Sequence, residues 1–451
     1  MDTVLIANRG EIALRIIRAC RRQGMRAVCA FSEDDRGAAY LDLADQAICI
    51  GPAPALKSYL NIPAVLAAAK ATGAQYIHPG YGFLSENAEF AEAVTKAGLT
   101  LIGPDARVMR MMGDKVAAKG AMIAAGVPCV PGPDAVLPDD PQELARIAEG
   151  IGYPVILKAA GGGGGRGMRV VKDKGALAEA FAITRQEARQ FFGNADIYME
   201  KYLQKPRHVE IQVIADSHGT ALWLGDRDCS MQRRHQKLIE EAPAPGIDRR
   251  LIADIGARCA ASCRDIGYVG AGTFEFLYED GAFFFIEMNT RIQVEHPVTE
   301  MVTGLDIVAL QIDVARGAVL PFAQGDIQTA GHAIECRINA EDPASFVPSP
   351  GTITHMHVPG GPGIRVDTHV ASGAVIPASY DSMIGKVIAH GADRAEALAR
   401  AQTALAELRV GGVSCNAALH CALLDDPGFR EGGISIHHFD DWCAAQEATD
   451  V

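Results

Sequence analysis

A chain of 451 residues is longer than one hydrophobic core supports, so two or more packed units are expected. Its 49% hydrophobic and 22% charged residues exclude a disordered polymer. A balance of 42 Lys and Arg against 55 Asp and Glu, net −13, with 6% aromatic residues, excludes the basic excess and stacking surface of a nucleic-acid binder, so any anion site has to be local.

Residues 3–7 form an apolar strand-like run, residues 12–20 carry apolar positions at helical spacing, and residues 27–31 form a second strand-like run after the Gln23-Gly24 stop, together a βαβ pattern. The pattern continues through residues 65–71, 75–78, 88–97 and 99–102, which predicts a parallel sheet flanked by helices over roughly the first 113 residues. A helical stretch follows Met112-Gly113, then a Pro/Gly-rich linker at 127–141. Strands are predicted at 153–159, 168–171, 197–200, 209–214, 273–277 and 283–287, with a mixed region from 331 onward. The 11 cysteines are odd in number and include no Cys-x-x-Cys pair, which points to reduced thiols. The opening MDTVLIANRG lacks signal-peptide features and no apolar run is long enough to span a membrane, so a cytoplasmic protein without membrane contact is expected.

Gly162, Gly164 and Gly167 satisfy the spacing G-x-G-x-x-G, but the dinucleotide fingerprint needs a helix afterwards and Met168-Arg169-Val170-Val171 reads as a strand. A glycine turn between two strands is instead a flap whose amides close over phosphates. Lys158 before it and Arg166 after it favour that reading over a plain surface loop.

The segment Glu287-Met-Asn289-Thr-Arg291-Ile-Gln293-Val-Glu295 places polar groups at every second position, directly after the apolar run Phe283-Phe284-Phe285-Ile286. Two carboxylates, two amides and an arginine at the mouth of a buried strand cost too much to lack a purpose. Extended, the stripe would span roughly 26 Å, so it must bend or its ends must do different work. Glu287 and Asn289 offer hard oxygen ligands for Mg²⁺, while Glu295 beside Arg291 suits holding a small anion and taking its proton. For Glu275 to share a face with Glu287 across the turn Glu279-Asp280-Gly281, their positions must sum to an even number. That predicts a three-residue loop with Gly281 in a bulge. Upstream, His208, Glu210 and Gln212 alternate with Val209, Ile211 and Val213, and Arg227 to Lys237 concentrates the donors that a nucleotide triphosphate needs. Cys229 reads as an inert packing thiol.

Taken together, Ala7-Asn-Arg-Gly-Glu-Ile-Ala, His78-Pro-Gly-Tyr-Gly-Phe-Leu-Ser-Glu-Asn, Met112-Gly-Asp-Lys, the glycine loop, Arg227-Asp-Cys-Ser-Met-Gln-Arg-Arg-His-Gln-Lys, Glu287-Met-Asn-Thr-Arg-Ile-Gln-Val-Glu-His-Pro, Glu335-Cys-Arg-Ile-Asn-Ala-Glu-Asp and Tyr380-Asp-Ser-Met resemble the biotin carboxylase family of ATP-grasp enzymes over nearly the whole chain. The resemblance implies a multidomain α/β and α+β protein with the ATP-grasp fold. It implies an N-terminal Rossmann-like parallel-sheet domain (1–113), a helical linker (114–129), a mobile glycine-rich lid (130–203), a central ATP-grasp domain (204–326) and a C-terminal mixed domain (327–451).

It also implies ATP- and bicarbonate-dependent carboxylation of biotin through carboxyphosphate. By position, Lys115, Lys158, Gly163, Gly164, Glu200, Lys201, Leu203, His208, Gln232 and His235 would hold ATP, and Glu275, Glu287 and Asn289 would hold Mg²⁺ or Mn²⁺. Lys237, Arg291, Gln293, Val294 and Glu295 would cradle bicarbonate, with Glu295 its base, and Arg337 would face the biotin ureido oxygen. Asp226, Ala160 and Cys415 depart from the usual family residues without removing a catalytic group. No Met-Lys-Met biotinylation motif occurs, so biotin is expected on a biotin carboxyl carrier protein, with carboxyltransferase subunits and a homodimeric assembly as further partners. The competing readings are another acyl-phosphate-forming ATP-grasp ligase and a non-catalytic ATP-binding regulatory subunit.

Overall fold

The computed structural model describes residues 1–133, 135–159 and 167–449. Gly163, Gly164, the rest of the run 161–165, Ala160 and Arg166 lie outside the described residues.

The N-terminal unit is a five-stranded sheet in the order Gln46–Gly51, Arg26–Ser32, Thr3–Ile6, Tyr76–His78, Thr100–Leu101, with every pairing parallel. Its central strand is buried along its whole length, as a strand covered by helices on both faces must be. The first helix, Gly10–Arg22, buries Ile12, Ala13, Ile16 and Ile17, with Glu11 in its first turn and Arg21 and Arg22 in its last, charges that complement the helix dipole. The chain leaves the central strand to opposite sides, so a crevice opens between the ends of Thr3–Ile6 and Tyr76–His78, where ligands of open α/β sheets bind. The Asn8 amide closes its floor by donating to the carbonyls of Pro79 and Tyr81, both at 2.7 Å.

A second, eight-stranded antiparallel sheet follows, in the order Ala282–Asn289, Gly270–Glu279, Arg207–Ala215, Ala221–Arg233, Gln236–Ala242, His332–Asn339, Met383–Gly391, Ile364–Thr368. It runs without a break across the boundary expected at 326–327, because Gln236–Ala242 pairs directly with His332–Asn339. A smaller three-stranded sheet, Met168–Val171, Val155–Ala159, Ile197–Lys201, packs under helices Pro141–Ile151 and Lys174–Phe192 around its own core of Leu144, Leu157, Phe181 and Met199. The strands on either side of the glycine run pair as an antiparallel hairpin, Lys158 opposite Met168. Among the described residues no helix is long and apolar enough to cross a membrane. All eleven cysteines are free thiols.

Candidate active site

A cavity of about 1420 Å³ lies where the three units meet, larger than one small ligand needs. Every candidate site residue from the sequence that falls within the described residues lines it.

The polar stripe does bend. Its strand ends at Asn289, and Glu295 becomes the N-cap of the helix His296–Thr303. The hairpin before it differs from expectation. Glu279 pairs with Ala282, so the loop is the two-residue Asp280-Gly281 with φ of 49° and 79°, the geometry whose twist suits a tight hairpin. The extra residue sits instead between the pairs Phe276/Phe285 and Glu275/Glu287, a bulge at Ile286. Parity is restored in the ladder and not in the loop, because the odd sum of 276 and 285 becomes the even sum of 275 and 287. Glu275 and Glu287 therefore stand directly opposite. Burial in the cleft and the facing Glu275 carboxylate push the Glu287 carboxyl up, while Glu275 is held low despite its burial by Lys237 and His208. An opposed carboxylate pair with the Asn289 amide oxygen at the strand end is an oxygen donor set that fits a divalent cation.

Beyond this pair lies a dense ion network. The Lys237 ammonium reaches Glu275 at 3.0 Å and Glu295 at 2.6 Å and also pairs with Glu210. Glu295 accepts from Arg337 Nη2 at 2.9 Å through its second oxygen. Burial pushes the Glu295 carboxyl up, but Lys237, Arg337 and Arg227 outweigh it and hold the group low, so at neutral pH it is an anion able to accept a proton. The N-cap position adds the positive end of a helix.

Arg291 was expected beside Glu295. Its hydrogen bonds go elsewhere, with Nε 2.7 Å from Glu86 and Nη2 2.5 Å from Asn289 Oδ1, while it lines the same cavity as Glu295 and feels that carboxylate's charge. Gln293 donates to Glu275 at 2.7 Å, and the Val294 carbonyl accepts from the fully buried Lys386 at 2.6 Å.

At the other end, Lys158 pairs with Glu200 at 2.5 Å, and Lys119 lies 3.7 Å from the same carboxylate. Lys115 opens the helix Lys115–Ala124, whose N-cap Asp114 accepts from Val116 and Ala117. Lys201 donates to the carbonyls of Gly152 and Tyr153, at 2.9 and 3.0 Å, and Leu203 is buried. Burial works against charge on His208, but the adjacent Glu275 carboxylate, 3.2 Å away, pushes it up to about 9, so the imidazolium is present at neutral pH. The donor-rich run at 227–237, which composition would leave as a solvated loop, is instead a hairpin carrying Gln232, with Arg233 opposite Gln236. Its turn residues Arg234 and His235 both have positive φ, 47° and 66°. That conformation is strained for side chains with a Cβ, and such strain gathers at functional sites.

Arg227, Glu210, Glu86 and Glu240 were not assigned from the sequence. Arg227 is fully buried and donates to Glu210, Gln212, Thr273, Thr299 and Gln293 at 2.5–3.1 Å. Its sequence signal is weak: it stands in phase with Cys229 and Met231, both buried. Glu210 shares the alternating face of His208 and Gln212, which was legible, but its cationic partners were not.

Family models match residues 1–109 as the biotin carboxylase N-terminal domain, 114–323 as the carbamoyl-phosphate synthase L chain ATP binding domain, and 335–441 as the biotin carboxylase C-terminal domain. The chain is 59% identical over 440 residues to a biotin carboxylase of Pseudomonas aeruginosa, covering 98% of each protein. This chain belongs to the biotin carboxylase family. Its fold is similar to that of a Campylobacter jejuni biotin carboxylase in complex with β,γ-ATP, with TM-score 0.92, 48% identity and 98% of each chain covered. It is also similar to the biotin carboxylase domain dimer of Hydrogenobacter thermophilus 2-oxoglutarate carboxylase in complex with MgADP, ADP and bicarbonate, with TM-score 0.89, 44% identity, and 98% of this chain and 97% of that one covered. The ATP-grasp architecture expected for a biotin carboxylase is the one observed, including the parallel-sheet N-terminal unit and the hairpin flanking the glycine run.

Proposed function

We propose that this biotin carboxylase family enzyme uses ATP and bicarbonate to carboxylate biotin, with the two ends of its cavity divided between nucleotide and carboxyl transfer. The observation that carries this reading is Glu295, an anion clamped between Lys237 and Arg337 at one end of a cavity whose other end is lined with lysines and histidines. Lys115, Lys158, His208 and His235 hold the nucleotide phosphates, with Glu200, Lys201, Leu203 and Gln232 completing the pocket. Glu275, Glu287 and Asn289 hold Mg²⁺ or Mn²⁺, which when bound neutralises phosphate charge during transfer.

Bicarbonate is a poor nucleophile. Lys237, Arg291, Gln293 and Val294 orient it and Glu295 removes its proton, so that its oxygen attacks the γ-phosphorus of ATP, the bond to the β-phosphate breaks, ADP leaves and carboxyphosphate forms. Carboxyphosphate then breaks down to CO₂ and phosphate, the phosphate takes the ureido N–H proton of biotin while Arg337 stabilises the negative charge that develops on the ureido oxygen, and the nitrogen attacks CO₂. The residues that surround these groups exclude bulk water, so each charge acts at close to full strength. Biotin arrives on a separate carrier protein, carboxyltransferase subunits use the product, and the enzyme works as a homodimer. Eleven free thiols suit the reducing cytoplasm.

The test is ADP release with MgATP and bicarbonate, with and without free biotin. Biotin-stimulated release is expected in the wild type, and Glu295→Gln is expected to lower it by roughly 100-fold or more. Release that ignores both biotin and the substitution would discard the assignment.

A further inference from the structure

Next to Arg337 the sheet buries two carboxylates to which the proposed reaction gives no work. Glu335 precedes Arg337 by two residues on His332–Asn339, so both side chains leave the same face. Glu240 is paired directly opposite Glu335 from Gln236–Ala242. Both glutamates are 0% exposed. One Glu240 oxygen accepts from Arg337 Nε at 2.5 Å, while its second oxygen and both oxygens of Glu335 have no hydrogen-bond partner among the described residues.

Two ionised carboxylates facing each other across a dry ladder would repel and forfeit their hydration. One proton removes both costs, because a Glu335 hydroxyl would find its acceptor in the second oxygen of Glu240. Burial acts in that direction on both groups, pushing Glu335 well above the carboxylate range and Glu240 to about 7.

We propose that Glu240 and Glu335 hold a single proton between them and form the positioning unit of Arg337, fixing its Nε edge while Nη2 remains on Glu295. The inference rests on the role given to Arg337 in the proposed function. The charged and titratable groups around the unit are Arg337 and the thiol of Cys336 on the strand of Glu335, Lys386 on Met383–Gly391, Glu295 on the site loop, Lys237 on the strand of Glu240, and the thiol of Cys229 on Ala221–Arg233. Ionised Glu240 holds the guanidinium by a charge-assisted bond and neutral Glu240 does not. Activity from this source therefore rises with pH through the neutral range.

The experiment measures biotin-dependent ADP release by the full chain across the neutral pH range. Glu240→Gln is expected to lower kcat roughly tenfold to a hundredfold with the KM for ATP unchanged, and to erase the neutral limb of the pH profile. Glu240→Asp restores part of kcat. Glu335→Leu removes the donor that stabilises ionised Glu240, so it moves the limb to higher pH. A wild-type kcat and limb in Glu240→Gln, or a KM for ATP that rises together with the loss of kcat, overturns the proposal. If Glu240→Gln does not fold, Glu335→Leu decides, and an unmoved limb overturns the proposal. Arg337→Ala is run alongside. If it is inactive while Glu240→Gln is unaffected, the positioning unit alone fails; if it remains active, the role of Arg337 itself fails.

Discussion

Arg227 illustrates how much a single buried charge organises. Its guanidinium orients Gln293 and Glu210, which in turn meet Glu275 and Lys237, so the metal end and the bicarbonate end share one anchor. Removing one member of such a network strands the others without water. Arg227→Met is expected to lower the unfolding free energy by about 3–5 kcal/mol, read by urea denaturation. Glu241 makes a different kind of tie, pairing with His332 at 2.7 Å and Arg394 at 2.6 Å. Burial opposes its ionisation, yet the bonds from His332 and Arg394 outweigh that and hold the carboxyl below 4.5. A carboxyl depressed in the folded state adds stability above its unfolded value and loses it as pH falls through the folded one. The stability gap between wild type and Glu241→Gln should be widest near neutrality and narrow below 4.5; a gap that does not change with pH would rule this account out.

Two hairpins set the site, and each places its conformational strain differently. In Gly270–Glu279 with Ala282–Asn289, the Asp280-Gly281 turn carries residues suited to positive φ, and the irregularity is moved to Ile286, where it turns Glu287 toward the cavity. In the hairpin at 234–235 the same backbone is imposed on an arginine and a histidine. Asn tolerates that conformation better than Arg. Arg234→Asn should therefore stabilise the protein by about 0.5–1 kcal/mol, seen as a higher melting temperature. Alternation on a single strand is legible in the order of residues alone, as His208, Glu210 and Gln212 show. The position of the bulge is not, because parity requires one extra residue without saying where the ladder accommodates it.

For the whole molecule, the cavity is the joint between units, and Lys386 shows how it is tied. Fully buried, it pairs with Glu11 of the first helix at 3.2 Å and donates to the Val294 carbonyl of the site loop, while Glu11 accepts from the Tyr81 hydroxyl. A ligand that fills such a joint stabilises every unit it touches. MgADP at a hundred times its dissociation constant is expected to add about 2.7 kcal/mol to stability. The increment should shrink when the metal is chelated, and Glu287→Gln should show no difference between the two conditions in thermal unfolding. An equal metal-dependent increment in that variant would remove Glu287 from the cation site.

Sequence alone determined the parallel-sheet start, the hairpin around the glycine run, the polar stripe with its two ends, and the family, because these depend on local periodicity and on motifs read in order. Only the tertiary structure decided which charges meet. Arg291 goes to Glu86, some 205 residues away, and Lys237 gathers Glu210, Glu275 and Glu295 from three separate segments. Arg227, Glu240 and Glu335 are burials that residue type argues against. A buried charge is tolerated only where its partner arrives, and partners arrive through strand pairing and chain bends, which depend on contacts between residues far apart in the chain.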